Sequence, residues 1–265
     1  IKDLFPYEFP IILGWDAAGI VEQAGAEVTR FKYGDEIFAY CRKPIVQGGA
    51  YAEYIVLEEE HAAIKPKNIS FEEAASIPLA ALTAYQSLFD AAKITPGETI
   101  LIHAAAGGVG GFGVQLARDH GAVVWGTASA HNTEYVQDLG AARVVDYNQV
   151  DFCDSVRSEY PDGVDVVFDC VGGDVLPRSA EIVKQGGRLI SIVDDPTGLA
   201  RSDIHKEFVF VAPNSTQLTE LARMVEQGRL KTHLPQVFPF GLEEAKRAHE
   251  LSESGRTRGK MVLVL

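Results

Sequence analysis

Cysteine is scarce in this chain, which has three such residues among 265. Cys41, Cys153 and Cys170 lie far apart, and none belongs to a C-x-x-C motif or to a Cys/His pair at metal-ligand spacing. An odd number of scattered cysteines is typical of a reducing compartment without disulfides, so we expect a cytoplasmic protein. The three side chains are interpreted as small packing groups, not as metal ligands or redox centres.

Basic residues are also in short supply. The chain carries 24 Lys and Arg against 37 Asp and Glu, which gives a net charge of -13. Duplex DNA and anionic membranes recruit clusters of Lys and Arg, so this balance argues against both as partners. No apolar run reaches the roughly 18 residues that a membrane span needs. No signal peptide is visible either.

The first part of the chain, up to about Leu82, predicts a β-rich domain. Three segments have the pattern of short strands and are bounded by Gly turns or by charged residues. They are "AAGIVEQAG", "GDEIFAY" and "GGAYAEYIVL". Short strands with frequent Gly turns favour a small barrel or a folded sheet. Ser70 and Glu73 then form a capping-box pattern at the start of a helix. Pro78 is expected to interrupt that helix, and a second helix is predicted from about Leu82 to Ala92.

From Glu98 onward, apolar strands alternate with helices of about ten residues. The six strands are "ETILIHAA", "AVVWGTAS", "ARVVDY", "DVVFDCVG", "GRLISIV" and "KEFVFVAP". This alternation predicts a doubly wound α/β fold, with a parallel sheet covered on both faces. Two helices follow Pro213, and "GKMVLVL" predicts a strand that returns to the first domain. We therefore expect an α/β domain over residues 85–228, inserted into a β-rich domain made of 1–84 and 229–265.

A glycine-rich turn follows the first strand of the α/β domain, in "ILIHAAAGGVGGFGVQLARDHG". Gly108, Gly110 and Gly113 fit the pattern G-x-G-x-x-G, between an apolar strand and a helix, which is the context that this pattern requires. In that motif the first Gly permits the tight turn, the second lets the backbone approach a pyrophosphate, and the third lets the helix pack on the strand. The helix start then offers N–H groups and a positive dipole end to phosphate. The stretch predicts a dinucleotide site.

The residues after the second strand bear on which dinucleotide binds. A site that prefers NAD usually has Asp or Glu there, to bond the ribose 2′-OH and repel a 2′-phosphate. Here the strand ends "GTASAHN", with Ser129 in that place and no carboxylate before Glu134. This favours NADP(H), although no Arg or Lys is present to pair with the phosphate. Ser129 and Asn132 are equally suited to capping the next helix, and both roles can coexist.

Several strings resemble the medium-chain dehydrogenase/reductase superfamily, and its zinc-independent quinone oxidoreductase-like branch in particular. They occur in the family's order and span almost the whole chain: "LGWDAAGIVEQAG", "RFKYGDEIFAY", "GGAYAEYIV", "AASIPLAALTAYQSLFDAAKITPGETILIHAAAGGVGGFGVQLA" and "RGKMVLVL". The resemblance implies a Rossmann domain, doubly wound, plus a β-rich domain that is a GroES-like partial barrel.

Zinc-dependent relatives carry Gly-His-Glu where this chain has Gly14-Trp15-Asp16. Trp15 therefore replaces a metal-binding His, and no Cys or His occupies "SIPLAALT", where another ligand would lie. The four-Cys lobe of a structural zinc is absent too. We expect no metal, because Zn²⁺ would lack its tetrahedral N and S ligands. Without this Lewis acid, hydride from the nicotinamide C4 needs an acceptor that is already electrophilic, such as a quinone or an α,β-unsaturated carbonyl.

The resemblance also places the cofactor contacts. Tyr147 and the strand 208–210 are equally plausible as core residues, and Lys260 is equally plausible as a solvated charge. The implied contacts are Thr83 near the nicotinamide, Gly107, Gly108, Val109 and Gly110 around the pyrophosphate, Ser129 and Tyr147 at the adenosine 2′-phosphate, Val171 after the fourth strand, Phe208, Val209 and Phe210 at the carboxamide, and Lys260 at the phosphates.

No catalytic proton donor is identified by sequence. Tyr40 and Tyr51 lie near the expected cleft, but a core or surface role is the favoured interpretation of each. Family members begin with strands and a loop that hold a substrate-side Asn or Tyr. The chain starts at Ile1 without Met or this segment, and we expect the segment to exist in the protein, because a barrel without it would expose a sheet edge. The stretch "DDPTGLARSDIHKEFV" is also short for the family.

The leading hypothesis is an NADPH-dependent reductase of quinones or activated alkenes. The alternatives are a narrow-specificity enoyl or alkenal reductase, and a crystallin-like nucleotide-binding protein with little turnover. The resemblance also implies a homodimer joined across the sixth strand, with a monomer as the alternative.

Overall fold

The computed structural model describes residues 6–255 and 257–265. These residues form two compact units, one of Ile1–Leu82 with Ala212–Leu265 and the other of Thr83–Val211. The unit of Thr83–Val211 is continuous in sequence and separates the two segments of the other unit.

The first unit begins with short strands. These are β1 (Tyr7–Ile12), β2 (Asp16–Ile20), β3 (Glu36–Tyr40), β4 (Val46–Gly48) and β5 (Ala62–Ile64). β1 pairs with β4 in parallel, and β2, β3 and β5 form an antiparallel sheet in that order. Its small core gathers Ala39, Cys41 and Ala62. In the β2–β3 register, Asp16 lies opposite Tyr40.

Two helices follow, α1 (Phe71–Ala75) and α2 (Pro78–Tyr85), and a π-helical segment, Gln86–Ala91, continues the second. The capping box predicted at Ser70 is confirmed, because its hydroxyl accepts the Glu73 N–H and the Glu73 carboxylate accepts the Ser70 N–H. The predicted break at Pro78 is also confirmed, but the next helix begins at Pro78 itself and not near Leu82. Proline suits the first position of a helix, where its missing N–H would have no partner.

The second unit is built on one parallel sheet. Its strands are β6 (Thr99–Ile102), β7 (Val123–Ala128), β8 (Arg143–Asp146), β9 (Val164–Asp169), β10 (Val183–Ser191) and β11 (His205–Phe208), which match the six predicted apolar segments. Their order is β11-β10-β9-β6-β7-β8, with every pairing parallel. This order is the doubly wound one, so the predicted α/β fold class is confirmed.

Helices cover both faces of this sheet, and they are α3 (Gly108–Asp119), α4 (Thr133–Asp138), α5 (Phe152–Glu159) and α6 (Val175–Glu181). Alternate strand residues face opposite sides. Ile102 and Phe168 approach Gly113 of α3. Leu101 and Val167 instead join the buried cluster that contains Phe152 of α5 and Leu176 of α6.

The remaining elements return to the first unit: α7 (Ser215–Glu226), β12 (Gln236–Pro239), α8 (Leu242–Glu253) and β13 (Met261–Val264). β12 and β13 pair in parallel. The side-chain amide of Asn68 donates to the Val225 carbonyl at 3.1 Å, which ties α7 to this unit. Among the described residues, no helix has the length and apolarity to cross a membrane.

Candidate dinucleotide site

The glycine-rich turn lies at the topological switch point of the sheet in the second unit. β6 is followed by α3 and leads to β7 on one side, whereas its other neighbour, β9, belongs to the half of the sheet that runs out to β11. In open α/β sheets, ligands bind outside the carboxyl ends of the strands at this position. The structure therefore brings the turn to the place where a dinucleotide site is expected.

Ala104 sets the path of this turn. Its backbone is left-handed, with φ of 49°, and its carbonyl accepts the Gly107 N–H at 2.8 Å. A Cβ on Gly110 would collide with that same carbonyl oxygen. Position 110 therefore needs glycine because the Ala104 carbonyl lies too close for a side chain. The sequence motif instead predicts that this glycine lets the backbone approach a pyrophosphate. Gly113 has the expected role, since its Cα lies close to Phe168 and Ile102 of the sheet.

The start of α3 has no side-chain cap. Gly107 is its N-cap, with extended backbone and no side chain to accept an N–H. The Gly111 N–H is the first that bonds within the helix, to the Gly107 carbonyl at 2.9 Å. The N–H groups of Gly108, Val109 and Gly110 therefore precede the helical ladder. With the positive end of a 12-residue helix behind them, they suit an anionic phosphate.

Ser129 and Tyr147 lie at the carboxyl ends of two adjacent strands, β7 and β8. The Tyr147 N–H donates to the Ala128 carbonyl at 3.4 Å, which brings the two residues together. Tyr147 is 59% exposed, which is inconsistent with the core role considered for it. The Ser129 hydroxyl accepts from the side-chain amide of Asn132 at 3.3 Å, and Ser129 itself precedes a short 3₁₀ turn. Ser129 and Asn132 occupy the N-cap positions of the 3₁₀ turn and of α4, but neither side chain accepts a helix N–H, so the capping role expected from the sequence is not seen.

Asp169, at the end of β9, is a buried residue that sequence reasoning missed. Its carboxylate accepts the N–H groups of Val171 and Gly172, each at 3.0 Å, and the Ser191 hydroxyl at 3.1 Å. Burial raises its pKa, and these hydrogen bonds oppose the shift. The carboxylate thus fixes the backbone that presents Val171, which is half exposed at this end of the sheet. An Asp that closes an apolar strand, as in "DVVFDCVG", is the signal that could have found it.

The other predicted contacts of the second unit lie on β11 and α2. β11 forms the edge of the sheet, and the Val209 N–H beyond its end donates to the Ser191 carbonyl at 2.9 Å. Phe208 is partly buried and Phe210 is exposed, so this segment is not core. Thr83 is buried within α2.

Asp16, in the first unit, is another polar residue that sequence reasoning missed. One oxygen accepts the Leu79 N–H at 2.8 Å and the other lies 3.9 Å from the Lys260 ammonium. Burial raises the pKa of Asp16 to about 6, although the Lys260 charge and the Leu79 hydrogen bond both lower it. Lys260 was assigned to cofactor phosphates by resemblance, and here its neighbour is this carboxyl.

Tyr40 and Tyr51 are the candidate proton donors, and burial together with the negative charge of Asp16 raises the pKa of both. The Tyr40 side chain is fully buried, with the Arg42 side chain near its hydroxyl. Burial raises the pKa of Tyr40 to about 12, and the nearby Arg42 charge opposes that shift. The Tyr51 ring lies over Gly14, and its hydroxyl is 3.3 Å from Nε2 of His249. Both phenols therefore stay protonated at neutral pH, as a proton donor must.

In residues 6–255 and 257–265, no group of three or more His, Cys, Asp and Glu side chains has an arrangement that would hold a metal ion.

Two family models match the chain. Their descriptions are "Alcohol dehydrogenase GroES-like domain", over residues 2–67, and "Zinc-binding dehydrogenase", over residues 139–263. A probable zinc-binding oxidoreductase, mitochondrial, from Arthroderma benhamiae is 35% identical over 94% of this chain and 78% of its own length. A 2-methylene-furan-3-one reductase from Solanum lycopersicum is 35% identical over 96% of this chain, which spans 63% of that relative's length.

The fold is also similar to solved structures. The quinone oxidoreductase of Escherichia coli, solved in complex with NADPH, superposes with a TM-score of 0.85 at 30% identity. The match covers 97% of this chain and 83% of that one.

Proposed function

Because this chain belongs to the medium-chain dehydrogenase/reductase superfamily, in its quinone oxidoreductase-like branch, we propose that it is an NADPH-dependent oxidoreductase that reduces quinones or α,β-unsaturated carbonyls. The observation that carries the proposal is the uncapped start of α3 at the switch point of a doubly wound sheet. Relatives named as a quinone oxidoreductase and as a furanone reductase support the two acceptor classes.

The cofactor would supply the hydride from the nicotinamide C4, and the chain's residues bind and orient it. The N–H groups of Gly108 and Val109, with Gly107 and Gly110 shaping the turn, bind the pyrophosphate. Thr83 and the backbone of Phe208–Phe210 orient the nicotinamide, and Val171 lies along the cofactor beyond β9. Lys260 contributes charge at the phosphates. These roles come from the family resemblance.

NADPH is proposed over NADH because of Ser129. A carboxylate at the end of β7 would repel a 2′-phosphate, and this chain has a hydroxyl there, with the Asn132 amide at 3.3 Å and Tyr147 on the adjacent strand. The complex of the E. coli relative with NADPH supports this choice.

The proposed reaction needs no zinc. Trp15 stands in place of a His ligand, and its indole cannot bind Zn²⁺ as a neutral imidazole does. The words "zinc-binding" in the names of a family model and a relative describe those proteins. Elemental analysis of purified protein checks this point. Substoichiometric zinc is expected, and one zinc per chain that survives dialysis would contradict it.

Tyr40 and Tyr51 are the candidates for protonating the enolate or quinol oxygen. Tyr40 is the more distinctive of the two, because its hydroxyl is buried and lies near the charges of Arg42 and Asp16.

Steady-state assays test the proposal. NADPH oxidation would be followed against 1,4-benzoquinone, 9,10-phenanthrenequinone, an enone, an enal and an enoyl thioester, with NADH in parallel. Activity on several quinones or enones supports the leading hypothesis. Activity on one enal or thioester alone would favour the narrow-specificity alternative. Tight NADPH binding with turnover on no acceptor would favour the crystallin-like one.

We also propose a homodimer joined across β11 and a cytoplasmic location. β11 is an edge strand, and exposed edges are commonly paired. Light scattering distinguishes a dimer from a monomer, and Glu207→Pro on β11 should shift the dimer toward monomer. Scattered free cysteines support a reducing compartment. Fractionation of the source cells, with detection of the chain in organelles alone, would exclude the cytoplasm.

A further inference from the structure

Three polar side chains lie buried behind the glycine-rich turn, at His103, Thr127 and Ser179. Nδ1 of His103 is 3.1 Å from the Thr127 hydroxyl, and Nε2 is 2.9 Å from the Ser179 hydroxyl. The imidazole packs edge-on against Phe152, with ring centroids 4.7 Å apart. These groups are remote from solvent, so each needs a hydrogen-bond partner in the protein.

The contacts assign a direction to each hydrogen bond. The Ser179 hydroxyl donates to the Val175 carbonyl at 2.8 Å, so it accepts from His103 and Nε2 carries the proton. Nδ1 is then an acceptor, and the Thr127 hydroxyl donates to it. The oxygen of Thr127 is left free to accept, and the Ala104 N–H donates to it at 3.2 Å. Every polar atom of the set is satisfied by one neutral tautomer.

These hydrogen bonds connect His103 and Thr127 to Ala104, the residue that sets the path of the glycine-rich turn. Ala104 has a left-handed backbone, which is unfavourable for a residue with a side chain. Its N–H is held by Thr127, and its carbonyl accepts the Gly107 N–H and abuts Gly110. The Thr127 carbonyl also accepts the Ala105 N–H at 3.0 Å. The peptide that fixes the start of α3 therefore depends on the orientation of one hydroxyl.

We propose that Thr127 is a positioning residue for dinucleotide binding: its hydroxyl, oriented by the neutral imidazole of His103, holds the Ala104 peptide so that the first N–H groups of α3 point at the pyrophosphate. This inference rests on the proposed function. It assigns to His103 a place in the binding machinery without proton transfer, and it explains why a polar pair occupies the buried ends of β6 and β7.

Thr127→Val tests the proposal, with Thr127→Ser and Ser179→Ala as matched controls. Thr127→Val keeps the side-chain shape and removes the hydroxyl. Thr127→Ser keeps the hydroxyl. Ser179→Ala also deprives the buried imidazole of a partner, but it leaves the Thr127–Ala104 bond in place. The two readouts are the Kd for NADPH and for NADH, by titration calorimetry, and hydrogen exchange of the apoprotein over the peptide that contains Ala104–Gly108.

Thr127→Val should weaken NADPH binding about tenfold, as expected for loss of one buried, geometry-setting hydrogen bond. It should also speed exchange at the turn, while kcat at saturating NADPH falls less than twofold. Thr127→Ser should restore the Kd to within about threefold of wild type, and Ser179→Ala should change the Kd less than twofold while lowering the unfolding midpoint.

Equal losses of affinity in Thr127→Val and Ser179→Ala would show a merely structural role and overturn the proposal. So would an unchanged Kd and exchange rate in Thr127→Val. A wild-type chain that binds NADPH and turns over no acceptor contradicts the proposed reductase activity alone. A wild-type chain that binds neither nucleotide contradicts both.

Discussion

Single polar residues in apolar surroundings define the chemistry of this molecule. His103 and Asp169 lie buried at the ends of neighbouring strands in one unit, and Asp16 and Tyr40 lie opposite each other on paired strands in the other. Each is a group that is destabilised by burial unless hydrogen bonds or charges compensate it. Some of these hydrogen bonds come from the backbone of turns and helix starts, as with Asp169 after β9 and Asp16 at the start of α2.

His103 makes stability depend on pH. Burial, with the Arg178 charge, lowers its pKa to about 3, whereas the unfolded chain has the ordinary value near 6.5. The unfolded state therefore binds a proton more readily between these values. The stabilising contribution is fully present above about pH 6.5 and is lost as pH falls toward 3, by up to about 1.4 kcal/mol per pH unit.

Urea unfolding at pH 7, 6 and 5, followed by the fluorescence of the buried Trp125, measures how the free energy of unfolding changes with pH. The variant His103→Gln should be less stable at pH 7 and should lose stability more gently on acidification. An equal slope in wild type and His103→Gln would contradict the assignment of a buried neutral imidazole.

Gly110→Ala tests the construction of the turn. The added Cβ would collide with the Ala104 carbonyl, so the turn must move or the helix start must shift. We expect a loss of about 1–3 kcal/mol in unfolding free energy, as for overpacked sites, and dinucleotide binding too weak to measure at micromolar concentration. Gly198→Ala adds the same methyl where nothing lies within 4 Å and should be neutral in both. Wild-type affinity in Gly110→Ala would refute this description of the turn.

The elements themselves were the most predictable part of the chain. Apolar segments such as "DVVFDCVG" predict buried strands because both of their faces are covered by helices, and β9 forms there. The start of α2 was misplaced because Pro78 acts as a first helical residue and not as a breaker. The placement of α7 depends on contacts such as Asn68 with Val225, which are distant in sequence and leave no local signal.

Side-chain partners were the least predictable. The family resemblance implies a phosphate role for Lys260, and no local pattern indicates that Asp16 lies 3.9 Å from it. Nor did periodicity reveal that Asp169 holds two backbone N–H groups after β9. These pairings join residues more than 200 positions apart or depend on turn geometry, so they follow from the tertiary fold.

The carboxyl end of β7 carries the prediction on cofactor choice. In Ser129→Asp, a carboxylate would repel the 2′-phosphate and offer an acceptor to a ribose 2′-OH. The KM for NADPH should rise at least tenfold, and the KM for NADH should fall or stay unchanged. Ser129→Ala, which lacks the charge, should weaken NADPH binding by no more than a few-fold. A Ser129→Asp variant that still prefers NADPH would show that the 2′-phosphate binds elsewhere.

For the molecule as a whole, the proposed function assigns a different role to each unit. The unit of Thr83–Val211 would bind the dinucleotide through the helix start of α3. The unit that contains β2, β3 and β13 would handle the proton, through the partly buried Asp16 carboxyl, the Lys260 ammonium and the phenols. In the proposed reaction, hydride passes from the nicotinamide C4 to an activated alkene or quinone.

Isotope transfer tests that claim most directly. The purified chain would be incubated with an enone and NADPH deuterated at C4, first on one face and then on the other, and the saturated ketone analysed by mass spectrometry and NMR. We predict one deuterium at the β-carbon from only one of the two labelled cofactors, with the α-proton taken from water. Product without deuterium from either label, or no consumption of NADPH with any enone or quinone, would contradict the account.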